Sequence, residues 1–168
     1  MNTSFKTAFG LAAMLMAGMA SAETPSGIES LAQVHQQIRS DFELEHYFVS
    51  LITDADEIEA LSQASQKCYD SAEFVSVSAE RASQLLISPL SDTYFQLKES
   101  GAIDADDGYS SALEEMVALG EQIESELTGR RVSVCEEQSR PAYSDSRVTT
   151  FFEIDGEVMA VQDVGFPD

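Results

Sequence analysis

Residues 131–135 read Arg131-Val132-Ser133-Val134-Cys135, and how this stretch is taken decides the fold. Two signals compete in it. Valines alternate with polar residues, the period-two pattern of a half-buried strand. The residues before it, however, carry a helical face at Tyr109, Leu113, Met116, Gly120, Ile123 and Leu127. Gly129 weakens a continuing helix without forbidding it. The cysteines tip the reading to helix. Cys68 and Cys135 are equidistant from a midpoint beside Gly101, and in an antiparallel helical hairpin such residues lie opposite each other. A chain that reverses around 101–107 thus brings the two cysteines together, with the second arm reaching Gln138 and ending at Pro141. A strand over 131–135 is the alternative.

Upstream, the first arm carries the most regular face in the sequence. Ile58, Leu61, Ser65, Cys68, Ala72, Val75, Ala79, Ala82 and Leu86 follow one another at steps of three and four, a heptad-type seam of mostly small residues. Thr53 can cap this helix, and Asp54, Asp56 and Glu57 suit the positive end of its dipole. Pro89 ends or kinks it, helical character resumes over Leu90–Ser100, and Gly101 is a natural stop. An earlier helix starts with Ser26 as N-cap and runs through Ile28, Leu31, Val34, Ile38 and Phe42 to Phe48 and Ile52. Downstream the period changes to two. Val148–Ile154 and Glu157–Val161 flank Asp155-Gly156, the signature of a β-hairpin with a type I′ turn. The expected fold is mainly α: a small antiparallel bundle of about three helices, closed by a Cys68–Cys135 bridge and ending in a hairpin over about 147–164.

The N-terminal 22 residues, MNTSFKTAFGLAAMLMAGMASA, hold one charge, Lys6. Their apolar run over Ala8–Met19 is short for a membrane span, and Ala20-Ser21-Ala22 has the small-x-small pattern of a cleavage site. The expectation is a cleaved secretory signal over 1–22 and a single domain over 23–168. The compartment is then the periplasm, with secretion as the alternative, and nothing stays inserted in a membrane. In an oxidising compartment a lone pair of cysteines forms one bridge.

The chain carries 30 Asp and Glu against 9 Lys and Arg, a formal charge of −21. Loss of the signal removes one base and no acid. A chain this acidic repels phosphate, which excludes nucleic acid as a partner. Base-free stretches run between Arg39 and Lys67 and between Lys98 and Arg130, the second holding nine acids. Such a field steers basic partners or cations.

Motifs for chemistry are sparse. His35 and His46 stand about 16 Å apart on a continuous helix and cannot share a metal ion. Glu43 and His46 make one Glu-x-x-His pair, but a di-iron site needs two. Both histidines are expected to be exposed or partner-facing. Asp104, Asp106 and Glu115 have part of the spacing of a calcium loop, but the turn glycine is out of register, with Gly108 at position 5. Asp106 or Asp107 is as readily a helix cap. Neither a nucleophile elbow nor a phosphate or dinucleotide fingerprint occurs. The expectation is a non-enzymatic, cofactor-free exported binding protein of the inhibitor, immunity or adaptor type. Glu121, Glu124 and Glu126 would face a basic protein partner in the bacterial envelope. The alternative is a divalent-cation-binding or salt-adapted envelope protein using Asp104, Asp106 and Glu115.

Overall fold

The computed structural model describes residues 24–42, 49–139 and 146–165. The proposed signal, Glu43 and His46 lie outside these residues. In chain order the elements are α1 (Ser26–Asp41), β1 (Val49–Ile52), α2 (Ala55–Ala64), a 3-10 turn (Ser71–Glu73), β2 (Val75–Ser76), α3 (Ala79–Glu99), α4 (Asp107–Leu127), β3 (Val132–Ser139), β4 (Ser146–Ile154) and β5 (Glu157–Gly165).

The Asp155-Gly156 turn forms as its residues require. Asp155 has φ 53° and Gly156 φ 95°, and the left-handed pair joins β4 to β5 in the register Ile154↔Glu157. The hairpin is not alone. β3 pairs with β4, β2 with β3 and β1 with β5, giving a five-stranded antiparallel sheet of order β1-β5-β4-β3-β2. The expected mainly helical bundle is therefore wrong: four α-helices pack on the two faces of this sheet, a mixed α/β architecture.

Residues 131–135 belong to that sheet, against the helical reading. α4 stops at Leu127 because Thr128 is extended and Gly129 takes φ 83°. Val132 and Val134 then turn to one face of the sheet and Cys135 to the other. Two separately buried faces make the period-two pattern decisive here. The second arm accordingly reaches Gln138 as strand.

The long seam over 58–86 also breaks. α2 ends at Ala64, and Ser65 is extended with its hydroxyl accepting from the N–H groups of Lys67 and Cys68. Asp70 caps the 3-10 turn through Ala72 N, and Ser78 caps α3 through Arg81 N. The seam's small residues offer little area to bury, so local capping bonds prevail over its periodicity. α3 runs on through Pro89, which cannot supply an N–H to the carbonyl of Leu85. The first helix ends at Asp41, and Val49–Ile52 is the edge strand β1 rather than helix.

The reversal around Gly101 is correct. Gly101 takes φ 74°, its N–H donates to Lys98 O, and Ala102 N donates to Leu97 O, the bonding of a Schellman cap. α3 and α4 return antiparallel, with Ser83 Oγ donating to Gly120 O at 2.7 Å. The paired arms stay together past the helices, first as β2 against β3 and then at the disulfide. Cys68 and Cys135 are bonded with Cα atoms 5.8 Å apart. The expected bridge exists, held by a loop and a strand instead of two helices.

One core lies between the sheet and α1, α3 and α4, where Phe152, Ile154, Met159 and Val161 meet Ile28, Leu86, Leu90 and Ile123. A smaller one lies on the opposite face, where Phe151, Ala160 and the disulfide meet Ile58 and Leu61 of α2.

Candidate functional site

The three glutamates expected to meet a partner do not act alike. Glu121 and Glu124 are exposed on α4. Glu126 is turned inward to α1, which has no side-chain cap of its own. Its carboxylate accepts from Ser26 Oγ at 2.6 Å and from Gly27 N at 2.9 Å. Gln122 Nε2 donates to it as well. These bonds hold the Glu126 carboxyl below its ordinary pKa, the Ser26 hydroxyl first and the Gly27 amide second. Ser26 thus does not cap α1 as expected; Glu126 binds the free N–H of Gly27 in the first turn from 99 residues away. Gly27 permits this approach, since a Cβ there would lie 2.8 Å from Ile123 Cγ1.

Three of the remaining α4 acids form one outward stripe. Glu114, Glu121 and Glu124 are exposed at helical spacing, and Val117 between them is 54% exposed. Leu119, Ile123 and Leu127 hold the opposite face in the core. Four bases have structural tasks that take them from the acids of this stripe. Arg39 donates to Val49 O, Lys67 donates to Glu136 O, and Lys98 lies 4.6 Å from the centroid of the Tyr109 ring. Arg130 pairs with Asp155 at 2.7 Å.

Asp104, Asp106 and Glu115 are not assembled as ligands. Asp104 Oδ1 accepts from Asp106 N at 3.0 Å and Asp107 N at 2.8 Å. These backbone donors lower its pKa, Asp107 foremost. Asp104, not Asp106 or Asp107, therefore supplies the side chain at the start of α4. Glu115 lies about two turns further along the helix, where its charge adds to burial in pushing the Tyr94 hydroxyl up to about 12. Among the described residues, no group of three or more His, Cys, Asp or Glu is disposed to hold a metal ion.

His35 contradicts its expected exposure. It is 4% exposed, inside α1's buried face with Leu31 and Ile38. Burial first, and the positive charge of Arg39 second, bring its pKa down to about 4. The imidazole is neutral at pH 7 and belongs to the core.

Two grooves flank α2, and neither was legible in the sequence. One, of about 450 Å³, lies between the C-terminal end of α2 and the strands, lined by Ser65, Gln66, Glu137, Arg147, Thr149 and Gln162 over Leu61 and Phe151. Glu137 is already engaged by Ser65 Oγ and Gln66 N. The other, of about 380 Å³, runs between α2 and the loop around the disulfide. It is lined by Ile58, Phe74, Val158 and the 67% exposed Tyr69, and its charged residues are Glu59 and Glu153. Only the sheet's second face brings these distant positions together.

No helix among the described residues is long and apolar enough to cross a membrane. Compared with known proteins, the chain matches no family model, and no curated protein or solved structure shows significant similarity to it.

Proposed function

We propose that this is an exported, non-enzymatic binding protein of the bacterial envelope, periplasmic in address, that engages a basic protein partner. The observation that carries the reading is the uncompensated acidic surface. The formal charge is −21, and Arg39, Lys67, Lys98 and Arg130 are committed to backbone, ring and turn contacts. The α4 stripe of Glu114, Glu121 and Glu124 faces outward and steers a cationic partner on approach. The disulfide suits an oxidising compartment.

The test is binding to a lysine oligomer of defined length at increasing salt. Binding is expected to fall steeply with salt and to weaken on Glu121→Lys/Glu124→Lys, with Glu126 left in place because it caps α1. Reversal of Glu29 and Asp41 on α1 is the control for net charge. Salt-insensitive binding, or equal loss from the α1 and α4 reversals, would remove the basis for a dedicated acidic face.

A further inference from the structure

We infer that the groove between α2 and the disulfide loop receives a cationic peptide segment of the partner, with a large apolar side chain as its anchor. The inference rests on the proposal of a basic partner and names a second, selective contact, on the face of the sheet opposite α4. Charge alone does not fix register, whereas a desolvated apolar anchor in a pocket does.

The groove has the parts such a segment needs. Its floor is apolar, with Ile58 and Phe151 buried and Val158 partly so. The Tyr69 ring stands at its rim, 67% exposed, although a tyrosine ring gains by being covered. Glu59 and Glu153 line the same cleft, one on α2 and one on β4. An apolar side chain seated on the floor brings lysines or arginines on either side of it within reach of these two carboxylates.

The walls are also well fixed. Cys68 lines the cleft and is bonded to Cys135 of β3, so the loop bearing Tyr69 is tied to the sheet. The opening is therefore preformed, which lowers the ordering cost of binding. Charge selects among occupants. A second copy of this chain brings another −21 to the contact and is repelled. An acidic segment is repelled in the same way, and a cationic one is attracted.

The absence of tryptophan from the chain allows a direct test. The probe is a blocked hexapeptide, Lys-Lys-Trp-Leu-Lys-Lys, titrated with the full disulfide-bonded protein and followed by its own fluorescence. Lys-Lys-Gly-Gly-Lys-Lys, followed by calorimetry, is the peptide without an anchor. Saturable binding with a blue shift of the tryptophan emission is expected. Tyr69→Ser and Glu59→Lys/Glu153→Lys should each weaken it roughly tenfold or more, a change of about 1.4 kcal/mol. Glu121→Lys/Glu124→Lys should leave the blue shift intact. Circular dichroism and an intact disulfide check that each variant is folded.

Binding without a blue shift, or equal affinity for both peptides, would overturn the groove while leaving the basic-partner proposal standing. So would loss of binding on reversal of the α4 acids alone. Failure of both peptides to bind at low salt would overturn the two together. A protein that sediments as a dimer and becomes monomeric on Tyr69→Ser would assign the groove to a second copy and refute the inference.

Discussion

Acidification should destabilise this protein through His35 before its carboxylates are fully protonated. The imidazole lies in the packed face of α1, and its pKa is lowered from 6.5 to about 4. A depressed folded pKa means that the unfolded chain binds the proton more readily. The contribution of the neutral ring is thus complete above pH 6.5 and is lost as the pH falls toward 4. At about 1.36 kcal/mol per pH unit, the full loss approaches ~3 kcal/mol. About half of that should be gone near pH 5.5 and ~2.5 kcal/mol near pH 4.5. The assay is urea unfolding by circular dichroism at pH 7.5, 5.5 and 4.5 for the wild type and His35→Gln. The substituted amide does not titrate, so the pH-dependent part of the loss should shrink by these amounts in the variant. Asp104, Glu126 and Asp155, whose pKa values are lowered, also lose stability on acidification, and Asp163, whose pKa is raised by burial and then by Asp92, opposes them. These contributions are common to both proteins and cancel in the comparison. Equal acid sensitivity of wild type and variant would refute the buried, neutral His35.

Reduction of the disulfide, or Cys68→Ser/Cys135→Ser, frees a loop with a sequence separation of 67. The chain-entropy argument expects a loss of about 4 kcal/mol, less where the bond strains its surroundings; thermal melts with and without reductant measure it, and an unchanged midpoint would contradict the bridge. Glu126→Ala removes the cap of α1 and should cost about 1 kcal/mol in urea unfolding. Because the carboxylate's pKa is depressed, that advantage is present at neutral pH and fades as the pH falls through the lowered value; a variant as stable as wild type at neutral pH would count against the cap. Gly27→Ala drives a methyl group against Ile123 and should cost about 1–3 kcal/mol, with hydrogen exchange rising along α1; unchanged exchange there would mean that α1 does not rest closely on α4.

The failures of the sequence reading have a common cause. The stretch 53–86 is periodic enough for one helix, yet its seam of Ser65, Ala72 and Ala79 has little area to bury. Ser65, Asp70 and Ser78 instead direct their oxygens to backbone N–H groups and divide the segment. Five residues over 131–135 are too few to separate the two periods. The pairing of Cys68 with Cys135 is the one expected from symmetry about Gly101, but the arms do not keep that register throughout: β3 sets Val134 opposite Val75 rather than opposite Tyr69, and the loop between α2 and β2 brings Cys68 back to Cys135. For the candidate site, Glu121 and Glu124 lie at the surface, as their place on the polar face of α4 implies. Glu126 is not distinguishable from them in the sequence, because its partners Ser26 and Gly27 are about 100 residues away in the chain. Tyr69, Phe74, Glu59 and Glu153 carry no motif and converge only through β-pairing and the disulfide.

By itself the sequence determined the features that one short segment controls. These are the Asp155-Gly156 turn, the stop at Gly101, the amphipathic face of α4 and the surplus of acid. Backbone conformation at a glycine and burial along one helix are local matters, written in adjacent residues. Tertiary structure decided the rest: that 131–135 is strand, that His35 is interior, that Glu126 is a cap, and that a cleft opens beside α2. Each depends on which surface a segment meets, and that surface is supplied by residues far away in the chain.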